Sequence, residues 1–222
     1  MEKCAYNDVM NNIKQVCNQT NRRFEDITVI AATKMQNVDV LNEFKQNGLI
    51  FGENRVQELI DKYPYIDGVK WHFIGQLQTN KVKYIIDKVE LIHSVDRIEL
   101  ATEINKQANK IGKIQNVLLE VNIGGEESKG GVNSENIDKL IEQILLYKNV
   151  KICGLMTVMP LIEIDFNPYE KMRKLYDDKK KTYKEADWKY LSMGMSADYI
   201  EAIKYGSNMI RLGRVLFGER NR

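Results

Sequence analysis

The chain has 222 residues, of which 43% are hydrophobic and 29% are charged, and this composition is typical of a globular protein with a sizeable core. The 33 basic and 31 acidic residues nearly cancel to a net charge of +2, so charge gives no reason to expect nucleic acid or an anionic membrane as the main partner. No secretory signal or membrane-length apolar stretch is evident. The three cysteines include no close pair, which argues against a disulfide framework, so we expect a cytosolic protein.

Short apolar runs alternate with amphipathic helical patterns, beginning with a helix over about residues 5–19. Eight such units without a composition break predict a single domain over 1–222, folded as an α/β protein of the (β/α)8 (TIM) barrel type; an open doubly wound sheet is the alternative. The predicted strands are 27–33, 49–52, 71–75, 91–95, 116–122, 151–158, 190–194 and 208–213. Helical patterns include 54–63, 79–87, 137–146, 168–185 and 197–205, and a face formed by Ala101, Ile104, Ala108 and Ile111.

Lys34 directly follows the first predicted strand, which otherwise carries no charge. In a (β/α)8 barrel, functional groups gather at the carboxyl ends of the strands. Apolar walls there would favour the neutral amine, which is the form that condenses with an aldehyde cofactor. A lysine that merely leaves the barrel for solvent is the alternative.

The ends of the last two predicted strands have the pattern of an anion site. The segment SMGMS at 192–196 supplies two hydroxyls around a glycine and runs into a helix, and the next strand brings Arg211 and Gly213. Loops after the last two strands are the usual phosphate site of this fold. The same residues also fit a capped helix, with Ser196 as N-cap and Gly206 as its end, and both interpretations can hold together.

Arg211 also bears on the type of chemistry. A permanently protonated arginine beside a pyridine nitrogen keeps that nitrogen unprotonated, which suits racemase-like or carrier chemistry better than transamination. A structural ion pair with Glu53 or Glu201 is the alternative. His72 and His93 lack zinc-like spacing, so we predict no metal site and expect at least one hydrogen-bonded core histidine.

Taken together, these motifs resemble the YggS/PROSC family of pyridoxal 5′-phosphate (PLP) homeostasis proteins. The resemblance implies a fold type III barrel, like the N-terminal domain of alanine racemase but without its second β-domain. The matching stretches cover nearly the whole chain in order: VIAATK at 29–34, FGENRVQEL at 51–59, WHFIGQLQTNKVK at 71–83, IHSVD at 92–96, VNIGGEESKGG at 121–131, GLMTVMP at 154–160, LSMGMSADYIEAI at 191–203 and GSNMIRLGRVLFGER at 206–220.

The resemblance also implies roles for individual residues. Lys34 would carry PLP as a Schiff base, and Arg211 would face the pyridine nitrogen. Lys129 matches a lysine of the family loop whose role stays open. The resemblance also places Ser192, Ser196 and the backbone at Gly213 at the phosphate, and Asn54 and His72 along the cofactor. Gly194 is a further expected cofactor-binding residue. Three positions depart from the common family pattern: Met35, Gln76 and Asn208.

The function implied is PLP homeostasis, with PLP buffered or supplied to PLP-requiring apo-enzymes. Racemisation needs a base on each face of the substrate carbon, and alanine racemase takes the second base from a second domain and a partner subunit. The chain ends nine residues after Gly213, so we expect an open barrel mouth and no robust turnover. We also expect a monomer, with a dimer as the alternative. Two alternatives stay open: a PLP enzyme acting on a small amino acid, and a barrel that binds another phosphate ligand.

Overall fold

The computed structural model describes residues 2–126, 130–159 and 167–218. In these ranges nine strands form one sheet, and eight of them make up a barrel. The strands are β1 Thr28–Ala32, β2 Ile50–Glu53, β3 Trp71–Phe73, β4 Leu91–Val95, β5 Gln115–Asn122, β6 Val132–Asn133, β7 Val150–Met156, β8 Tyr190–Ser192 and β9 Met209–Leu212.

The sheet closes on itself. Its strand order is β4-β3-β2-β1-β9-β8-β7-β5, and parallel pairing between β4 and β5 joins the two ends. This closure confirms the predicted (β/α)8 barrel and excludes the open sheet. The sequence analysis missed β6, a two-residue strand that pairs with Val121 and Asn122 at the carboxyl end of β5.

Alternation along the strands separates the barrel interior from the layer beneath the helices. Ile30 lies in a small cluster inside the barrel, whereas its neighbours Val29 and Ala31 belong to the large cluster between strands and helices. The small cluster draws its apolar side chains from most of the strands or from the residues beside them: Ile30, Ile74, Leu91, Leu118, Cys153, Met156 and Met209. This apolar packing closes the barrel below its mouth, so a ligand has room at the carboxyl ends of the strands.

Helices surround the strands. None of the helices in the described ranges is long and apolar enough to cross a membrane. The α-helices are α1 Glu2–Gln19, α2 Val38–Phe44, α3 Val56–Lys62, α4 Ile98–Lys110, α5 Ile137–Leu145, α6 Pro168–Thr182, α7 Tyr199–Lys204 and α8 Arg214–Phe217. Short 3-10 helices occupy Phe24–Asp26, Lys45–Asn47, Tyr63–Tyr65, Thr79–Tyr84 and Ser134–Asn136.

Two helix predictions are wrong in detail. Residues 79–87 were predicted as an α-helix, but the structure has a 3-10 helix over Thr79–Tyr84 followed by turns. Ile111 was predicted on the buried face of α4, yet it is 50% exposed. The reason is a Schellman motif, in which Gly112 at φ 63° reverses the chain and Lys113 N–H donates to the Ala108 carbonyl.

Candidate ligand-binding site at the barrel mouth

A cavity of about 430 Å³ opens at the carboxyl ends of the strands, a size within the usual range for small-molecule sites. Three of its lining residues are cationic, and the described lining contains no carboxylate. Such a lining favours an anionic ligand with an apolar body. The lining residues are Ala32, Lys34, Asn54, Ile74, Val158, Met195, Ser196, Ala197, Arg211, Gly213 and Arg214.

Lys34 enters this cavity from a tight turn that follows β1. The turn spans residues 33–36 and is closed by a hydrogen bond from Gln36 N–H to the Thr33 carbonyl, 3.0 Å. Met35, its third residue, has φ 63°, a left-handed conformation that is uncommon for a residue with a side chain. Lys34 itself is half-buried and is one of the residues that line the cavity.

Arg211, on β9, is the buried cation of the site and is only 5% exposed. Its Nη1 donates to the Ser192 carbonyl at 3.1 Å and to Ser192 Oγ at 2.7 Å, and its Nη2 donates to the Thr157 carbonyl at 2.8 Å. Burial lowers the pKa of Arg211 to about 10, so the guanidinium stays protonated at neutral pH. Its remaining donors can therefore serve a ligand.

The alternative role for Arg211, an ion pair with Glu53 or Glu201, is wrong. Glu53 pairs with Lys62 at 2.8 Å, and Glu201 pairs with Lys204 at 3.0 Å. The partners of Arg211 are instead neutral oxygens at the ends of β7 and β8, which leaves its positive charge available at the cavity.

Ser196 joins the ends of the last two barrel strands. Its hydroxyl accepts hydrogen bonds from Gly213 N–H at 3.2 Å and Val215 N–H at 3.4 Å. The prediction that Ser196 caps the following helix is wrong, since the N-cap of α7 is Asp198, whose carboxylate accepts from Met195 N–H at 2.7 Å. Gly206 ends α7 at φ 92°, as predicted.

The other predicted site residues lie at different depths. Asn54 lines the cavity. Ser192 is fully buried, and its hydroxyl accepts a hydrogen bond from Arg211, which lines the cavity. Gly194, at φ 99°, is not among the described lining residues, and a Cβ at this position would come within 2.6 Å of the Ala202 Cβ. His72 is buried and is not among the described lining residues, whereas Ile74 is one of them. Lys129 falls outside the described residues.

A polar layer lies inside the barrel beneath the cavity. His72 Nδ1 is 3.0 Å from His93 Nε2, which confirms the expected hydrogen-bonded core histidine. Burial lowers the pKa of His72 to about 3 and that of His93 well below its ordinary value, so both rings are neutral at pH 7. The layer therefore places no further positive charge near Arg211.

Glu120, on β5, is an unexpected member of this layer. It is 6% exposed, and its Oε2 has no hydrogen-bond partner in the described structure. Burial, assisted by the Asp96 carboxylate, raises its pKa to about 7, although the charge of Arg211 acts in the opposite direction. The sequence analysis treated residues 116–122 only as a predicted strand. The lone carboxyl within this apolar run was the signal that could have identified Glu120 as a buried acid.

This pKa predicts a pH-dependent stability. Between its ordinary value of 4.5 and about 7, the folded chain binds the Glu120 proton more tightly than the unfolded chain does. The free energy of unfolding contributed by Glu120 is therefore greatest below pH 4.5 and is lost as pH rises through 7. Glu120→Gln stays neutral at every pH. In urea unfolding we therefore expect the free energy of unfolding of the variant, relative to that of the parent, to rise by about 3 kcal/mol from acidic pH to pH 8. The exposed control Glu99→Gln should show no such gain, and a pH-independent Glu120→Gln difference would contradict the assignment.

Comparisons with known proteins identify related sequences. A family model described as "Alanine racemase, N-terminal domain" matches residues 7–221. The chain is 47% identical over 218 residues to a pyridoxal phosphate homeostasis protein of Aquifex aeolicus, covering 96% of this chain and 95% of the relative. The two sequences are thus similar along nearly their whole lengths.

Solved structures show the same barrel. PipY of Synechococcus elongatus, solved with PLP bound, has 26% identity and a TM-score of 0.79, and the match covers 93% of this chain and all of PipY. An alanine racemase of Clostridium difficile has 19% identity and a TM-score of 0.74 over 96% of this chain but only 56% of its own, so it supports the fold alone.

Proposed function

Because this chain belongs to the family of pyridoxal phosphate homeostasis proteins, whose barrel is that of the alanine racemase N-terminal domain, we propose that it binds PLP at the barrel mouth. One observation carries the proposal: three cationic side chains, one of them an amine, meet in a cavity of about 430 Å³ whose described lining has no carboxylate. That arrangement matches a ligand with an aldehyde, an anionic phosphate and a flat aromatic ring.

Each part of the cavity fits one part of PLP. The Lys34 amine would form a C=N bond, the Schiff base, with the aldehyde carbon, and one water would be released. Arg211 would donate to the pyridine nitrogen and keep it unprotonated. Apolar side chains such as Ala32 and Ile74 would contact the ring.

The phosphate would lie at the ends of β8 and β9. Ser196 and Gly213 are joined there by a hydrogen bond, and Arg214 adds a positive charge to the same part of the lining. Ser192 and Gly194 would support the site without lining it. Ser192 would hold Arg211 by a hydrogen bond, and Gly194 would let the chain pack closely against α7. Asn54 would contact the cofactor directly, and His72 would support it from the layer below.

We propose storage or supply of PLP rather than turnover. The described lining offers one amine and two guanidinium groups but no carboxylate, imidazole, phenol or thiol. Racemisation requires a proton acceptor on each face of the substrate carbon, and this lining provides one such group, Lys34. In this role the protein would be a cytosolic monomer, with residues 1–222 as one domain, that stores PLP or supplies it to apo-enzymes.

Chemical trapping tests the proposed cofactor. PLP is added to the purified protein, absorbance is recorded in the visible, and the Schiff base is reduced with borohydride before peptide mapping. We expect a visible band that disappears on reduction and a pyridoxyl mass on the peptide that contains Lys34. A pyridoxyl group on a different lysine, or a protein that gives no spectral change with PLP, would overturn the proposal and favour another phosphate ligand.

A second measurement addresses turnover. With one enantiomer of a small amino acid added to the PLP-loaded protein, we expect the opposite enantiomer to form no faster than with free PLP, because the described lining offers no proton acceptor for the second face. Racemisation well above that background would favour the alternative, a PLP enzyme that acts on small amino acids.

A further inference from the structure

A buried polar cluster lies behind the Lys34 turn, on the side away from the cavity. We call it the Lys62 clamp and define it as Lys62, Glu53, Glu58 and Thr33. Lys62 is 7% exposed, and its ammonium donates at 2.8 Å to each of three acceptors: Glu53 Oε2, Glu58 Oε2 and the Thr33 carbonyl. An ammonium has three donors, so every donor of Lys62 is used within the clamp.

The clamp holds the residues on both sides of Lys34. Thr33 is fixed through its carbonyl, by Lys62, and through its hydroxyl, which lies 2.7 Å from Glu53 Oε2. Met35 is fixed through its N–H, which donates to Glu58 Oε2 at 2.8 Å. Lys34, between them, is therefore the one residue of this tripeptide whose side chain is directed to the cavity.

The backbone of the turn needs such a restraint. Met35 has φ 63°, and a conformation of this kind persists only where the surrounding structure enforces it. The Glu58 carboxylate does so through the Met35 N–H. Burial alone would raise the pKa of Glu58, but hydrogen bonds from Lys62 and from Met35 N–H lower it below the ordinary value, so the acceptor is charged at neutral pH.

The clamp also reaches a second lining residue. Glu53 Oε1 accepts from Asn54 N–H at 2.7 Å, while its Oε2 serves Lys62 and Thr33. A single fully buried carboxylate thus connects the ends of β1 and β2, and both Lys34 and Asn54 leave those ends to line the cavity.

Stability by itself does not explain a buried ion pair at this position. Removing two charges from water is costly, and well-packed apolar residues often replace such pairs without loss of stability. What the charged cluster supplies is geometry, because hydrogen bonds fix the backbone on both sides of Lys34. We propose that the charged residues of the Lys62 clamp act together as positioning residues that aim the Lys34 amine for Schiff-base formation, an inference that rests on the proposed function.

The chain offers a matched control. Lys179 is 8% exposed and contacts two carboxylates, Asp138 at 2.8 Å and Asp178 at 2.9 Å. These residues lie on α5 and α6, and none of them is among the described lining residues of the cavity. The test variant is Glu53→Gln with Lys62→Met, which removes the pair without leaving a lone buried charge. The control variant is Asp138→Asn with Lys179→Met. Both are made in the full chain, and thermal unfolding reports the general cost of losing a buried lysine.

Two ligands separate positioning from binding. PLP reports Schiff-base formation, whereas pyridoxamine 5′-phosphate has an amine in place of the aldehyde and cannot condense with a lysine. We expect the test variant to form the Schiff base about tenfold or more slowly and to bind pyridoxamine 5′-phosphate within about twofold of the parent. The control variant should match the parent with both ligands.

The outcomes distinguish the two proposals. If the parent forms no Schiff base, both the proposed function and this inference fail. If the parent forms it and the test variant does so at the rate of the control variant, the positioning role alone is overturned. Should the test variant not fold, Glu58→Leu leaves the Lys62–Glu53 pair and removes the acceptor of Met35 N–H. A slowed Schiff-base formation in Glu58→Leu supports the clamp, and an unchanged rate overturns it.

Discussion

Replacing Lys34 with alanine is expected to abolish the visible absorbance band that PLP gives with the parent protein. The imine requires a primary amine at the cavity, and the other described cationic lining residues, Arg211 and Arg214, carry guanidinium groups that do not form it. PLP would then be held only through its phosphate and ring, so it should be lost on dialysis. The unfolding free energy should change by less than about 1 kcal/mol, because Lys34 is a half-buried residue at the barrel mouth.

Lys81→Ala is the control for this prediction. Lys81 lines a separate cavity of about 560 Å³ beside the first, and the two cavities share Asn54. We expect the Lys81 variant to keep the visible band and the pyridoxyl label on Lys34 after borohydride reduction. A Lys34→Ala protein that still gives a reducible band would show that another lysine carries the cofactor.

Arg211→Ala is expected to weaken PLP retention by about 10- to 100-fold while leaving Schiff-base formation possible, since a charge-assisted hydrogen bond is lost but Lys34 remains. The variant should also lose about 1–3 kcal/mol of unfolding free energy, because Ser192 Oγ and the Thr157 carbonyl are left buried without their donor. Equilibrium dialysis with PLP measures the first effect, and urea unfolding measures the second.

Arg22→Ala separates these two effects. Arg22 also donates to two backbone carbonyls, those of Ile203 and Ser207, each at 2.7 Å, and it is half-buried but lines neither of the two mouth cavities. It should therefore lower stability without changing PLP retention. If Arg211→Ala held PLP as tightly as the parent, its proposed contact with the pyridine nitrogen would be wrong.

The sequence predicted the barrel well because the barrel depends on local patterns. Each short apolar run became a strand, and the eight-fold repeat left the closed sheet as the favoured arrangement. The errors came where tertiary contacts override local preference. Residues 79–87 have a helical pattern, but packing at the barrel gives a 3-10 helix over Thr79–Tyr84.

The candidate site was predictable where a residue's position along its strand decides its role. Lys34, Arg211 and Gly213 lie at the carboxyl ends of strands, so a barrel brings them to one mouth. Depth within the barrel was not predictable. Ser192 and His72 were both expected against the cofactor, yet both are buried and absent from the described lining, because side-chain layers in a barrel depend on strand tilt and register.

From the sequence alone, the eight strand–helix units favoured a closed barrel with Lys34 and Arg211 at its mouth, because apolar periodicity marks each strand and the position where it ends. Only the tertiary structure decided which charges are buried and what they contact. From the sequence, Lys62 has the pattern of an exposed residue on a short helix, and Glu120 is one polar position in an apolar strand. Their burial follows from how α3 and β5 pack in the closed barrel, and that packing places Lys62 against the Lys34 turn and Glu120 beneath the cavity.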